Sequence, residues 1–196
     1  MNTTSVWVVV IVGIVCLGLG GLGGFGIGLA VSGGIQAINE EVGVKEEPAD
    51  IEGAREFEHE GLAAMIPGNW IVHPGNAYKT EDGADYFFFQ SDGYTSVEFY
   101  LYDGPIDVEE QVEAHRSIVN EYLFGELSET TTNSYGGLRG TGINFGDDYF
   151  DNTELYNVFV VSGNTKSLVV VENYFEDDSE FVLPGMQLIR DTIQFK

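Results

Sequence analysis

The chain has 196 residues and a formal net charge of -24, with 32 acidic side chains against 8 basic ones. A chain of this length has room for one domain plus a short additional segment. The excess of negative charge repels phosphate backbones, so nucleic acid is excluded as a predicted partner, and the simplest interpretation of the charge is a well-solvated acidic surface. The only cysteine is Cys16, so no intramolecular disulfide and no cysteine-based zinc cluster are expected.

Residues 6–31 form an uncharged stretch, VWVVVIVGIVCLGLGGLGGFGIGLAV, and the first charged side chain of the chain is Glu40. As a helix this stretch would be about 39 Å long, enough to cross a hydrocarbon layer of about 30 Å. The sequence therefore predicts one N-terminal transmembrane helix within residues 1–35. The alternative is a cleaved signal peptide, favoured by the small residues Ala30 and Ser32 but opposed by the absence of Lys and Arg before the apolar run.

Small residues recur every four positions in the second half of this stretch, at Gly20, Gly24 and Gly28. Such a stripe lets two membrane helices approach closely, so it predicts helix packing and a homodimer. The alternative is that a glycine-rich segment contains this spacing by composition alone.

Residues 36–55 are acidic, contain Pro48 and Gly53, and show no sustained apolar period, which is typical of a solvated linker. Residues 56–196 are then the soluble domain. Its first part predicts short strands at 56–59, 62–66 and 70–72, a polar loop at 76–84, and a hairpin of two strands, 85–90 and 95–102, joined by Ser-Asp-Gly.

The period then changes to that of a helix over 107–124, with Asp107 as its N-cap and Gly125 after its end. Four further strands are predicted at 126–134, 138–145, 153–162 and 167–175, separated by glycine-containing turns, as in an antiparallel meander. A last helix begins near Asp178 and Ser179, with Pro184 in its first turn or at a break. The predicted fold class is α+β, an antiparallel β-sheet flanked by helices.

Four segments make the domain resemble the PsbP-like family: FEHEGLAAMIPGNW, SVEFYLYDGPIDVEEQVEAHRSIV, GLRGTGINF and MQLIRDTIQF. The resemblance covers residues 56–196. It implies an antiparallel sheet between helices, an accessory or binding role without a general enzymatic activity, and a location outside the cytoplasm. With the predicted anchor, it favours a single-pass protein of the cell membrane whose domain is extracytoplasmic and binds an unidentified protein partner.

Acidic side chains concentrate at Asp147, Asp148 and Asp151 on a glycine-containing segment. Carboxylate oxygens suit Ca²⁺, so a calcium-responsive loop is one hypothesis, although the spacing is not that of an EF-hand. The alternative is a solvated turn of an acidic protein. No other cofactor is predicted, and the histidines show no metal-binding spacing.

Four tyrosines of the strand region, Tyr86, Tyr94, Tyr100 and Tyr102, form a candidate binding face if they are exposed on one side of the sheet. The sequence contains no nucleophile elbow, phosphate-binding loop or dinucleotide-binding motif, so no enzyme is predicted. A hydrolase that uses paired carboxylates stays an alternative, because such pairs leave no local sequence pattern.

Overall fold

A computed structural model describes residues 46–122, 128–149 and 152–196. The predicted membrane helix, with Gly20, Gly24 and Gly28, lies outside the described residues. Within the described part of the chain, no helix is long and apolar enough to cross a membrane.

Two antiparallel sheets form the domain, and the smaller has three strands. Its strands are β1 (Arg55–His59), β2 (Leu62–Ile66) and β10 (Gln194–Phe195), in the order β1-β2-β10. The chain therefore returns at its C-terminal end to pair with a strand near the start of the domain. β10 is too short for a sequence period, and the sequence did not predict it.

The larger sheet has seven strands in the order β3-β4-β5-β9-β8-β7-β6, every neighbouring pair antiparallel. The strands are β3 (Ile71–Lys79), β4 (Asp85–Gln90), β5 (Ser96–Asp103), β6 (Ser128–Tyr135), β7 (Leu138–Tyr149), β8 (Asn152–Val161) and β9 (Lys166–Phe175). The predicted meander is confirmed as β6 to β9. β9 is a central strand between β5 and β8. Apolar cores cover both faces of the sheet at this strand, which explains its continuous apolar run.

One helix serves each face of the large sheet. Helix α1 (Val108–Tyr122) packs on β7 and β8, and Asp107 caps it as predicted, with Oδ1 accepting from the backbone N–H groups of Glu109 (3.0 Å) and Glu110 (3.1 Å). Helix α2 (Ser179–Thr192) follows a 3₁₀ turn (Glu176–Asp178) and packs on β2 and β9. Pro184 lies inside α2 without dividing it.

The sheet thus separates two apolar cores. The core on the α2 side includes Trp70, Phe87, Phe99 and Met186, all fully buried. The core on the α1 side is built from Tyr86, Tyr100, Val158 and Val169 among others. Alternation along each strand assigns successive residues to the two cores, so the large sheet is buried on both sides.

The sequence-based loop prediction at 76–84 is wrong for its first residues, because β3 continues to Lys79. The pairing of β3 with β4 shifts between His73 and Tyr78, around Pro74 and Gly75. A proline cannot donate to a strand ladder, and it is tolerated here because β3 is an edge strand with an irregularity at that point.

The predicted linker ends earlier than residue 55, because residues 46–54 pack on the domain. The backbone N–H of Ala49 donates to the carbonyl of Phe181 at 3.0 Å, and that of Gly68 donates to the carbonyl of Asp50 at 2.9 Å. The Asn69 side chain bonds both Asp50 N and Pro48 O. We refer to residues 46–54 as the strap. Its acidic composition is typical of a solvated linker, so the sequence did not predict these contacts.

The turn between β6 and β7 depends on Gly136, whose φ is +57°. A Cβ at this position would lie 1.6 Å from the carbonyl oxygen of Arg190 in α2. We expect Gly136→Ala to lower the free energy of unfolding by about 2–4 kcal/mol, through left-handed backbone strain and displacement of α2. Urea denaturation measures the difference.

The matched control is Gly137→Ala in the same turn, where a Cβ would meet nothing within 4 Å. This change should alter stability by no more than about 0.5 kcal/mol. Equal losses from the two substitutions would contradict the close approach of the turn to α2.

Candidate functional site

A cleft of about 680 Å³ lies on the α2 side of the molecule, where the small sheet, the end of α2 and the β6–β7 turn meet. This volume is in the range of ligand-binding clefts. Its lining residues are Glu56, Ala63, Ala64, Met65, Gly137, Leu138, Asp191, Thr192, Ile193, Gln194 and Phe195. The cleft therefore combines segments from both ends of the domain with a turn from its middle.

Backbone contacts fix the walls of the cleft. The N–H of Met65 in β2 donates to Thr192 Oγ1 at 2.9 Å, which joins the small sheet to the end of α2. The N–H of Lys196 donates to the carbonyl of Gly61 at 2.8 Å, which fixes the C-terminal strand. The third wall is the β6–β7 turn, held against Arg190 by the close approach of Gly136.

The cleft has an apolar lining and an acidic rim. Among the described residues that line it, Glu56 and Asp191 are the charged ones. Lys196 stands at the rim, with Nζ 3.2 Å from Glu56 Oε1 and 2.6 Å from Glu58 Oε2. These ion pairs are exposed and therefore weak, so a cation from a ligand can compete with Lys196 for the two carboxylates.

An ion pair between the buried Glu172 and the partly buried Arg190 joins α2 to the sheet, next to the cleft residue Asp191. Glu172 in β9 is fully buried, and its carboxylate accepts hydrogen bonds from Arg190 Nε at 2.9 Å, Arg190 Nη2, Tyr135 Oη at 2.8 Å and Asn157 Nδ2 at 3.0 Å. Burial and the charge of Glu172 raise the pKa of Tyr135 well above its usual value, so this hydroxyl stays protonated and donates a hydrogen bond to the carboxylate. One carboxylate thus connects α2, β6, β8 and β9.

A second buried glutamate lies on the opposite face of the sheet. Glu98 Oε2 accepts from Tyr86 Oη at 3.1 Å and from Tyr100 Oη at 3.0 Å. Burial raises the pKa of Glu98 from 4.5 to about 7, and the two tyrosine hydrogen bonds only partly oppose this shift. Nearby, Glu154 is also buried and accepts from Tyr156 Oη at 2.7 Å.

The predicted exposed face of tyrosines is therefore wrong at three positions. Tyr86, Tyr100 and Tyr102 do share one face of the sheet, but they are 3%, 1% and 7% exposed and belong to the α1-side core. Their hydroxyls donate hydrogen bonds to buried or partly buried carboxylates; that of Tyr102 donates to Asp82 Oδ2 at 2.7 Å. Tyr94 lies outside this group, in the β4–β5 loop, where its ring meets Phe175 edge-on at 5.6 Å.

The calcium hypothesis placed Asp147, Asp148 and Asp151 on a loop. The backbone of Asp147 and Asp148 instead continues β7, paired with Glu154 and Thr153, so the loop prediction is wrong there; Asp151 and the side chains of the other two lie outside the described part. Among the residues that the structure describes, no three His, Cys, Asp or Glu side chains form a group that could hold a metal ion.

The three histidines do not converge. His59 packs on Phe87, whereas His73 stacks on Phe88, which points to the other face of β4. His115 in α1 is buried, with Nδ1 2.8 Å from the carbonyl oxygen of Gln111. Burial lowers the pKa of His115 to about 4, so it is neutral at physiological pH and acts as a packing residue.

No protein-family model matches this sequence, and no curated relative does. Solved structures resemble it in fold. LpqN of Mycobacterium tuberculosis, which is involved in cell envelope biogenesis, is 13% identical, with a TM-score of 0.46 over 73% of this chain and 90% of that chain. PsbP of the cyanobacterium Synechocystis sp. PCC 6803 is 11% identical, with a TM-score of 0.43 over 73% of this chain and 92% of that chain.

The resemblance to PsbP-like proteins predicted from the sequence is confirmed as a likeness of fold. At these identities and TM-scores the likeness carries no argument about what the chain binds.

Glu98 gives the domain a pH-dependent stability. Because its pKa is higher in the folded state than its ordinary value, the folded state binds more protons and loses stability as the pH rises from about 4.5 to about 7. We expect Glu98→Gln to remove this loss. Between about pH 5 and pH 8 the stability of the variant relative to the natural protein should rise by about 2–3 kcal/mol, measured by urea denaturation.

Glu172→Gln is the matched control, because it changes a buried glutamate whose partner is an arginine. It should lower stability at every pH in this range, by about 2–4 kcal/mol, since Arg190 loses its buried counter-charge. A Glu98→Gln variant whose stability follows the same pH profile as the natural protein would contradict the assignment.

Proposed function

We propose that this chain is a membrane-anchored binding domain, displayed outside the cytoplasm, whose α2-side cleft receives a lysine- or arginine-bearing, partly apolar segment of a partner protein. The observation that carries the proposal is the combination of an apolar lining with the exposed carboxylates of Glu56 and Asp191 at a cleft of about 680 Å³. A carboxylate rim attracts ammonium and guanidinium groups, and the apolar lining accepts aliphatic side chains.

The electrostatics of the whole chain support a cationic ligand. With a net charge of -24, the protein attracts basic partners and accelerates their encounter. Charge alone would recruit a basic segment to any part of the surface. The cleft adds the apolar contact area that makes one place preferable to the others.

The hydrolase alternative receives no support from the cleft. Acid catalysis by paired carboxylates needs one carboxylic acid that burial keeps protonated at neutral pH. The described carboxyl group with that property, Glu98, lies in the α1-side core, on the far side of the sheet from the cleft. Glu56 and Asp191 are exposed, and Asp191 Oδ1 already accepts from Gln187 Nε2 at 2.6 Å.

Binding can be tested with an amidated hexapeptide of alternating Lys and Leu and its Glu–Leu counterpart, titrated into the full-length protein in detergent micelles. We expect the basic peptide to bind and the acidic one not to bind. The double variant Glu56→Gln/Asp191→Asn should weaken binding of the basic peptide by about three- to tenfold, because each charge contributes a fraction of a kcal/mol. Isothermal titration calorimetry gives both affinities.

The control variant is Glu109→Gln/Glu110→Gln, which removes the same charge from the exposed N-terminal turn of α1. It should leave the affinity within about twofold. Equal weakening by the two double variants would show attraction to the acidic surface as a whole and would contradict a role for the cleft.

The predicted topology has its own test, since Cys16 is the only natural cysteine. Glu109→Cys places an accessible thiol on the domain, and a membrane-impermeant maleimide applied to intact cells should label it. Permeabilised cells report the total thiol. Labelling that appears only after permeabilisation would place the domain in the cytoplasm.

A further inference from the structure

β1 is an edge strand of the small sheet, because β2 is its one neighbour among the described strands. The pairing between the two determines which backbone groups of β1 point outward. In β2, the N–H of Met65 donates to Thr192 Oγ1 at the end of α2, on the side away from β1. Met65 pairs with Glu56 in antiparallel register, so the N–H and C=O of Glu56 also point away from the partner strand. Alternation along the strand gives the same direction for the backbone groups of Glu58.

The outward edge of β1 is regular and open. In the part of the chain that the structure describes, no residue bonds the outward N–H or C=O groups of Glu56 and Glu58. Natural proteins commonly protect such an edge with a proline, a bulge or a covering element, because it can pair with a further strand. β1 contains no proline and pairs with β2 in unbroken register over all 5 of its residues. Its outer side therefore has the geometry that strand addition requires.

The outer face of this edge is acidic. The side chains of Glu56 and Glu58 are 68% and 54% exposed, and both pair with the single ammonium of Lys196. One ammonium for two carboxylates leaves a net negative charge, and exposed pairs of this kind are weak. A second copy of β1 is a poor partner, because antiparallel pairing of the two outward edges would place glutamate opposite glutamate. The charge favours a strand that carries basic side chains.

The inner face of the same edge is apolar. Phe57 points toward the large sheet, where its ring centroid lies 5.0 Å from that of Phe87 and 4.9 Å from that of Phe89 in β4. Phe89 pairs with Val72 of β3, so Val72 lies on the same face of the large sheet, one strand further out. Because α2 packs on β2 and β9, the free side of β1 faces β3. Phe57 and Val72, both partly buried, thus form an apolar floor beside the open edge.

We propose that the free edge of β1 receives an extended segment of a partner protein as a fourth strand of the small sheet, with Lys or Arg opposite Glu56 and Glu58 and an apolar residue opposite Phe57. Main-chain hydrogen bonds hold the segment, and its alternating side chains supply the specificity. The basic side chains meet the carboxylates on the outer face, and the apolar one packs toward Val72. This surface goes beyond the cleft of the proposed function: Glu56 belongs to both, whereas Glu58 does not line the cleft.

The probe is the acetylated and amidated pentapeptide Lys-Val-Lys-Val-Lys, added to isotope-labelled full-length protein in detergent micelles. Hydrogen exchange of single backbone amides, followed by nuclear magnetic resonance, reports on the edge directly. At a peptide concentration ten times the dissociation constant, exchange of the Glu56 and Glu58 amides should slow by up to about elevenfold, because these amides then exchange only from the free protein. The amides of β6, an edge strand of the large sheet, are the internal control and should not change.

Two N-methylated peptides separate strand pairing from attraction by charge. In the proposed pairing the lysine N–H groups of the peptide point to β1 and its valine N–H groups point to solvent. Methylation of the valine nitrogens should leave the protection of the two amides within about twofold, whereas methylation of the lysine nitrogens should abolish it. The two peptides carry the same side chains and the same charge. If they act alike, the proposal is overturned.

Glu58→Gln separates this surface from the cleft. It should weaken binding of the peptide at the edge about two- to fivefold, as expected for one exposed charge pair, and the control Glu109→Gln on α1 should leave it unchanged. Equal affinities of the Glu58→Gln and Glu109→Gln variants would overturn the proposal. Unchanged exchange of the Glu56 and Glu58 amides up to about 5 mM peptide would do the same. If the peptide then perturbs only the cleft residues, the proposed function stands and the strand addition fails; protection of β1 without any change at the cleft gives the reverse result.

Discussion

The ion pair between Glu172 and Arg190 is the interaction on which the α2 side of this domain depends. Glu172 lies in the central strand β9, in a face otherwise lined by Leu168 and Val170, and is inaccessible to solvent. A carboxylate buried there must have all its hydrogen-bonding capacity used. The partners that satisfy it come from α2, β6 and β8, so the position of the helix and that of the β6–β7 hairpin are determined together.

This constraint explains why a cleft lies between the end of α2, the small sheet and the β6–β7 turn. Arg190 directs the last turn of α2 toward the sheet, and its carbonyl oxygen faces Gly136 at a distance that only glycine permits. Thr192, the last residue of the helix, accepts a hydrogen bond from the Met65 N–H of the small sheet. The cleft is thus the space between three elements, each fixed by its own contacts. Of the two carboxylates that line it, Glu56 forms an exposed ion pair with Lys196.

The large sheet buries one glutamate on each face, and the two have different hydrogen-bond partners. Glu172 pairs with Arg190, whereas the described partners of Glu98 are tyrosine hydroxyls, and burial raises the pKa of Glu98 to about 7. Sequence periodicity located both residues on strands, but it could not show which partners they have, because those lie on other elements. The same limit made Tyr86, Tyr100 and Tyr102 look like an exposed face: alternation assigned them correctly to one side, and helix α1 covers that side.

The regular elements were predictable because their patterns are local. Short apolar or alternating runs bounded by turn residues identified β4, β5 and the meander β6 to β9, and the cap at Asp107 identified the start of α1. The features that depend on residues far apart in sequence were not predictable. The two-residue strand β10 exists only because β2 accepts it, β3 runs past Pro74 because it is an edge strand, and the strap is ordered by a loop some 45 residues further on, at Ser91. The cleft joins three segments that are far apart in sequence, so no pattern could have indicated it.

Binding of a basic ligand in the α2-side cleft can be located residue by residue by nuclear magnetic resonance of the isotope-labelled full-length protein in micelles, titrated with the amidated Lys–Leu peptide. We expect saturable shifts that concentrate on the cleft-lining residues Met65, Leu138, Thr192 and Phe195, with little change on α1. Shifts spread over the acidic surface, or centred on the α1 side, would show that the cleft is not the binding site.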